Sequence, residues 1–168
     1  GYPRLDDTVK VLESLEEHGV HMAEIGVPFS DPMADGPVIQ ASGGRALANG
    51  MSVKRLFEQL DGVREKVSMP LVLMGYLNPI LQFGFDRYCE AAARCGVDGL
   101  IIPDLPFTEY MESYKAVAEK HGLHVIMLIT PETSEERIRL IDEQTGGFIY
   151  MVSSPSVTGA KNRFSDEN

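Results

Sequence analysis

The sequence alternates regularly between short apolar segments and longer amphipathic segments, and this order restricts the fold strongly. An apolar run of about six residues is typical of a buried strand, whereas apolar residues three and four apart indicate a helix. The predicted strands are 20–25, 69–75, 97–102, 123–129 and 147–152, and the predicted helices are 8–18, 52–66, 84–95, 108–121 and 133–144. Strands buried between helices in this order form a parallel α/β sheet.

The residues that follow the strands indicate where a functional site would lie. These segments are rich in Pro, Asp, Ser and Asn, as in GVPFSDPMADGP after strand 20–25 and YLNP after strand 69–75. No GxGxxG motif follows strand 20–25, which argues against a dinucleotide-binding sheet. Both a closed barrel and an open sheet remain compatible with the pattern, and either would place a site at the C-terminal face of the strands.

Composition excludes several classes of function. The net charge is −10 with no basic stripe, so the sequence does not predict a nucleic-acid partner. No apolar run is long enough to span a membrane, and the first residues do not resemble a signal peptide. Cys89 and Cys95 lie six apart on one predicted helix and are expected to be buried, reduced thiols. The four histidines are not spaced as a metal site, so none is predicted.

Two carboxylates stand out near the first strand. Side chains alternate along a strand, so Val20, Met22 and Glu24 share one face. Partial burial there would raise the pKa of Glu24 and suit it to acid or base catalysis, although from these residues alone a solvated Glu or an ion pair is the simpler interpretation. Asp35, in Ala-Asp-Gly-Pro, is either a turn residue or a second catalytic carboxylate folded over the strand ends.

A longer sequence pattern favours a catalytic role for Glu24 and Asp35 over a structural one. The run from Glu24 to Gln40, EIGVPFSDPMADGPVIQ, resembles the signature of the tryptophan synthase α chain family. Further segments occur in the family's order: GYP at the start, MGYLNP at 74–79, LIIPDLP at 100–106, and YMVSS followed by VTG at 150–159. The resemblance covers essentially the whole chain and implies a (β/α)₈ TIM barrel.

The resemblance also implies a reaction. Family members are lyases of tryptophan biosynthesis that cleave indole-3-glycerol phosphate to indole and glyceraldehyde 3-phosphate, after protonation of the indole ring at C3. It assigns the acid/base role to Glu24 and a place beside the indole N1–H to Asp35. It implies substrate contacts at Tyr150, Thr158, Gly159, Ile39, Met74 and Ile101. For the apolar positions, plain core packing is an equally good interpretation.

The resemblance extends to partners and cofactors. Family members work in the cytoplasm with a β subunit that carries pyridoxal phosphate (PLP) in an α₂β₂ complex, while the α chain itself uses no cofactor. Pro28, Asp31 and Asn78 match positions on the docking face for that subunit. The polar segment 153–168 would be a lid, in which Pro155 stiffens the approach to Thr158.

The length departs from the family pattern. A (β/α)₈ barrel usually needs roughly 250 residues, so 168 residues are expected to form one truncated domain with about strands 2–6. The first strand and the last two, with their phosphate-binding loops, would be missing. We therefore expect this fragment alone to be inactive and to expose strand edges. Two alternatives remain: a non-catalytic activator of a PLP-dependent β subunit, and another phosphate-substrate barrel enzyme.

Overall fold

The computed structural model describes residues 1–153, which form parallel strands covered by helices on one face. The strands are β1 (Ala23–Gly26), β2 (Leu71–Met74), β3 (Gly99–Ile101), β4 (His124–Ile126), β5 (Leu128–Ile129) and β6 (Tyr150–Met151). The helices are α1 (Thr8–Glu17), α2 (Pro37–Ala48), α3 (Val53–Leu60), α4 (Leu77–Phe83), α5 (Phe85–Cys95), α6 (Phe107–Glu109), α7 (Lys115–Lys120) and α8 (Glu135–Gln144). All five predicted strands are therefore confirmed, with the fourth divided into β4 and β5 at Met127.

Every strand pairing is parallel. The order is β1-β2-β3-β4, with Glu24 opposite Val72 and Met74 opposite Ile101. β5 then pairs with β6, so the predicted strand 123–129 uses its first half to bind β3 and its second half to bind β6. This change of partner lets the sheet continue through six strand segments in chain order.

The two faces of the sheet carry separate clusters of apolar side chains. The outer face packs against the helices and includes Ala23, Ile25, Leu73, Leu100 and Val125. The inner face carries a smaller cluster of Val72, Ile101 and Ile126, against which Met74 and Leu128 pack. Alternation along each strand sends neighbouring residues to opposite faces, and Glu24 thereby falls on the inner side, away from the helices.

Two helices, α2 and α4, form in segments for which the sequence predicted neither a helix nor a strand. α2 contains Gly43 and Gly44, which disfavour helix, but Pro37 occupies its first turn, where proline is well tolerated. α4 has Pro79 near its start and receives its cap from outside the segment, because the Asp104 carboxylate accepts the Leu77 N–H at 2.8 Å. The sequence did not predict these two helices because they are stabilised at their starts rather than by a strong periodic pattern.

Two other predicted helices are confirmed with internal changes. The predicted helix 52–66 ends as α3 at Leu60, because Gly62 adopts a left-handed conformation (φ 72°) before a 3₁₀ turn at Val63–Glu65. The predicted helix 108–121 contains a π-helical turn at Tyr110–Tyr114 between α6 and α7.

Arg64 joins the turns at the N-terminal ends of the strands. Its guanidinium donates to the carbonyls of Val67, Met69 and Gly96 and to the Asp98 carboxylate, at 2.6 to 3.3 Å. Asp98 also accepts the Leu71 N–H at 2.9 Å, at the start of β2. This network fixes β2 against β3 at the end of the sheet opposite the candidate site.

The cysteine prediction is confirmed, since Cys89 and Cys95 are both free and buried on α5. Among residues 1–153, no helix has the length and apolar character needed to cross a membrane.

Candidate active site

A cavity of about 350 Å³ lies beside β1 and the loop that follows it. Its lining combines apolar side chains, including Leu12, Phe29 and Ile39, with the two carboxylates Glu24 and Asp35. A mostly apolar cavity of this size with a few convergent polar groups is typical of a small-molecule site. The predicted carboxylate pair is thus brought to a single cavity.

Glu24 lies in the middle of β1, where alternation directs it to the inner face. Part of the residue reaches solvent, but desolvation by the surrounding protein raises the pKa of its carboxyl, and the charge of Asp35 raises it further. A carboxyl with a raised pKa keeps its proton closer to neutral pH, so Glu24 is suited to give and take a proton.

Asp35 lies immediately before α2 and is only 7% exposed, the one charged residue that is buried in the described part of the chain. Desolvation raises the pKa of its carboxyl, and hydrogen bonding from the Tyr76 hydroxyl opposes that shift. Within residues 1–153 its Oδ1 atom is buried without a hydrogen-bond partner. A buried carboxylate oxygen without a hydrogen-bond donor is costly, because it has lost water and gained no partner.

Tyr150 on β6 completes the group of polar residues on the inner side. The charge of Glu24, followed by burial, raises the pKa of the Tyr150 hydroxyl, so the two side chains are close enough to interact. Tyr150 is paired with Leu128 on β5, whose side chain packs against the inner apolar cluster, so Tyr150 shares the inner face of the sheet.

The other predicted site residues fall into three groups. Ile39 and Met74 line the cavity, whereas Ile101 is buried in the inner apolar cluster beside Met74. Pro28 also lines the cavity, and Asp31 and Asn78 are exposed in the segments after β1 and β2. Thr158 and Gly159, with Pro155 and the rest of the predicted lid, lie outside the described residues.

Two residues near Asp35 were not predicted from the sequence. The Tyr76 hydroxyl accepts the Ala34 N–H at 3.0 Å, and the Gln40 amide donates to the Asp35 carbonyl at 2.7 Å. Tyr76 stands in the GYLNP segment, and a tyrosine directly after a buried strand among loop residues was the available signal. For the part of the chain that the structure covers, no group of three His, Cys, Asp or Glu side chains is arranged to hold a metal ion.

Comparisons with known proteins give one consistent result. The family model described as the tryptophan synthase alpha chain matches residues 1–168. The chain is 62% identical over 164 residues to the tryptophan synthase alpha chain of Bacteroides fragilis and 61% identical over 167 residues to that of Bacteroides thetaiotaomicron. These matches cover 98% and 99% of this chain, but 62% and 65% of the relatives. The chain therefore spans just under two thirds of the length of these relatives.

Solved structures similar to this chain belong to the same family. Tryptophan synthase subunit alpha from Legionella pneumophila is 41% identical, with a TM-score of 0.85, over 91% of this chain and 58% of that one. Mycobacterium tuberculosis tryptophan synthase is 35% identical, with a TM-score of 0.88, over 99% of this chain and 64% of that one. Both similarities confirm the predicted (β/α)₈ TIM-barrel class, of which the described residues form a part.

Proposed function

Because the chain belongs to the tryptophan synthase alpha chain family, we propose that the complete barrel is a lyase that cleaves indole-3-glycerol phosphate to indole and glyceraldehyde 3-phosphate. The observation that carries the proposal is the meeting of Glu24 and Asp35 at one largely apolar cavity. An indole ring needs an apolar slot, and the cleavage needs groups that move protons at its edge. The family resemblance suggests the role of each residue, and the geometry of that cavity supports these assignments.

Glu24 is the acid and base of the proposed reaction. It first delivers a proton to C3 of the indole, which converts the ring into an indolenine. It then takes the proton of the adjacent glycerol hydroxyl while the C–C bond breaks and its electron pair returns to the ring. Both steps need a carboxyl that exchanges a proton near neutral pH, and the raised pKa of Glu24 supports this role.

Asp35 stabilises the charge that develops on the ring nitrogen. Protonation at C3 makes the N1–H strongly acidic and positively polarised, so a carboxylate that accepts this hydrogen bond stabilises the intermediate. The place of Asp35 in the cavity lining supports the assignment, because a carboxylate there can accept an N–H of the substrate.

The remaining substrate contacts are assigned as follows. Ile39, Met74 and Ile101 form the apolar slot for the ring, and Tyr150 approaches the glycerol side near Glu24. Thr158 and Gly159 close the site as part of a lid. We propose one barrel domain that includes residues 1–168, with the phosphate held by parts of the barrel beyond these residues and with no cofactor of its own.

We also propose that the barrel docks on a β subunit that carries PLP. The docking face consists of Pro28, Asp31 and Asn78, all in the segments that follow strands β1 and β2 at the site end of the sheet. The exposure of Asp31 and Asn78 supports it, since both side chains are available to a partner. As a biosynthetic enzyme with two free cysteines, the protein belongs in the cytoplasm.

An activity assay on the complete gene product tests the catalytic role. We expect it to release indole from indole-3-glycerol phosphate, and we expect Glu24→Gln to lower kcat about 10²- to 10⁴-fold, the usual contribution of a general acid/base. Glu17→Gln, which changes an exposed carboxylate at the end of α1, is the matched control and should leave turnover unchanged.

The same preparations separate the lyase from a non-catalytic activator. An activator would stimulate the β subunit equally well with Gln at position 24 and would release no indole itself. Normal indole release by Glu24→Gln would remove the catalytic assignment.

A further inference from the structure

Tyr76 is a buried tyrosine whose hydroxyl reaches a distant segment of the chain. It lies between β2 and α4, is 2% exposed, and packs its ring against Phe29 with centroids 5.6 Å apart. Its Oη atom accepts the Ala34 N–H at 3.0 Å across 42 residues of sequence. The loop after β2 therefore holds the loop after β1 at the residue directly before Asp35.

The backbone around Asp35 is fixed on both sides of the carboxylate. The Tyr76 hydroxyl holds the preceding N–H, and the Gln40 side chain donates to the Asp35 carbonyl at 2.7 Å. The Asp35 N–H itself donates to the Pro32 carbonyl at 3.1 Å. These three contacts restrict rotation of the main chain on both sides of Asp35. They therefore constrain the direction in which its side chain leaves the backbone.

Asp104 extends this support to a third loop. Its Oδ1 atom accepts the Leu77 N–H at 2.8 Å, directly after Tyr76, and β2 and β3 are already joined by the Gly75 N–H to Ile101 carbonyl bond at 3.0 Å. The loops after β1, β2 and β3 are thus linked in series from Asp35 through Tyr76 to Asp104. Both connecting hydrogen bonds, at 3.0 and 2.8 Å, are part-buried.

We infer that Tyr76, held in place by Asp104, is a positioning residue that orients the Asp35 carboxylate toward the cavity. The inference rests on the proposed function, since Asp35 must meet the ring nitrogen. Asp35 lines the cavity, whereas the contacts of the Tyr76 hydroxyl are to Ala34 and Asp35. Tyr76 therefore acts through Asp35 rather than on the substrate.

The protonation state of Asp35 gives supporting evidence. Hydrogen bonding from the Tyr76 hydroxyl lowers the pKa of the Asp35 carboxyl, against the larger effect of desolvation, which raises it. Loss of that hydroxyl leaves desolvation unopposed, so the carboxyl would hold its proton to a higher pH. A residue with a purely structural role would not change this titration.

The decisive variant is Tyr76→Phe in the complete gene product, which keeps the buried ring and removes only the hydroxyl. We expect kcat/KM for indole release to fall about tenfold, and the acidic limb of its pH profile to move to higher pH because Asp35 must be ionised. The ¹³C resonance of the Asp35 carboxyl should titrate at higher pH in the same variant. Tyr88→Phe is the control, since Tyr88 is equally buried and its hydroxyl has no hydrogen-bond partner among residues 1–153.

Asp104 is tested by a pair of substitutions. Asp104→Asn keeps an oxygen for the Leu77 N–H and should retain activity, whereas Asp104→Ala should shift the Asp35 titration as Tyr76→Phe does. A pH profile and an Asp35 titration in Tyr76→Phe that match those of Tyr88→Phe would overturn the inference. Absence of indole release by the unsubstituted protein would instead refute the proposed function, and the carboxyl titration would still test the role of Tyr76.

Discussion

At the residue scale, Asp35 is the buried charged group of the described structure, and it lacks a full set of hydrogen-bond partners. It is a buried carboxylate with one unpaired oxygen and no cation beside it among the contacts of residues 1–153. Burial of a charge without a full set of partners destabilises a fold, and such residues persist where function requires them. Desolvation is the main cause that raises the pKa of the Asp35 carboxyl, and it also raises the pKa of the Glu24 carboxyl.

This imbalance predicts a gain of stability on Asp35→Asn. Because the folded state binds the Asp35 proton more tightly than the unfolded state, its stability is greatest below the unfolded pKa and declines as pH rises through the folded pKa. The substitution removes the loss of stability at high pH, and it also removes the repulsion between the charges of Asp35 and Glu24. We therefore expect the unfolding midpoint of Asp35→Asn to exceed that of the unsubstituted protein by more at pH 8 than at pH 4, by roughly 2–4 °C.

Thermal unfolding of the complete gene product across this pH range provides the measurement. Asp31→Asn, an exposed aspartate in the same loop, is the control and should follow the unsubstituted protein throughout. A midpoint difference for Asp35→Asn that does not change with pH would contradict the account of desolvation.

At the element scale, each end of the sheet has its own set of fixing contacts. The C-terminal ends are tied by Tyr76 and Asp104, and the N-terminal ends by Arg64 and Asp98. The Arg64 side chain supplies donors in a fixed fork, which lets one residue satisfy three carbonyls and a carboxylate. The two ends of the sheet are therefore fixed by separate sets of contacts.

Removal of the Arg64 side chain should therefore destabilise the fold without changing the site directly. We expect Arg64→Ala to lower the free energy of unfolding by about 3 kcal/mol, because several part-buried carbonyls lose their donors together. Arg64→Lys should recover little of this loss, since an ammonium cannot reproduce the fork. Chemical denaturation measures both.

The control on a neighbouring element is Lys54→Ala. The Lys54 side chain is 82% exposed and forms a helical ion pair with Glu58 at 3.9 Å, which contributes a few tenths of a kcal/mol. Equal denaturation midpoints for Arg64→Ala and Lys54→Ala would show that the network at the strand ends does not stabilise the protein.

At the scale of the whole molecule, the described residues form an open arc of sheet rather than a closed ring. Within residues 1–153, β1 pairs only with β2 and β6 pairs only with β5. β6 presents Met151 at 76% exposure beside Tyr150, so it combines unpaired backbone groups with apolar surface. Edges of this kind pair readily with other chains.

This arrangement predicts self-association of the isolated 168-residue chain. We expect Met151→Lys to reduce the associated fraction at least several-fold, because a charge on an edge strand opposes pairing. Val38→Lys changes an equally exposed apolar residue, 80% exposed, on helix α2 and should have little effect. Sedimentation velocity gives the fractions, and equal association of both variants would argue against an edge contact through β6.

Much of the fold followed from local pattern. Residues 71–74 and 99–101 are apolar runs that nearly any parallel sheet would bury, and the alternation in 20–25 correctly separated Glu24 from Ala23 and Ile25. The helices α1, α5 and α8 were predicted within two residues of their ends, because their apolar spacing and terminal residues lie in the segments themselves. The carboxylate pair was assigned only through the long resemblance around it, since the spacing alone left other readings open.

The sequence by itself determined the five strand segments, the helices with a clear apolar period and the side of β1 that carries Glu24, because these properties depend on the period of neighbouring side chains. Only the tertiary structure decided that Asp35 is buried, that Tyr76 and Asp104 support it, and that α2 and α4 form where glycines and prolines suggested loops. The physical reason is the distance along the sequence between the residues that interact. The support of Asp35 by Tyr76 and the start of α4 depend on hydrogen bonds between residues 42 and 27 positions apart, which local periodicity cannot encode.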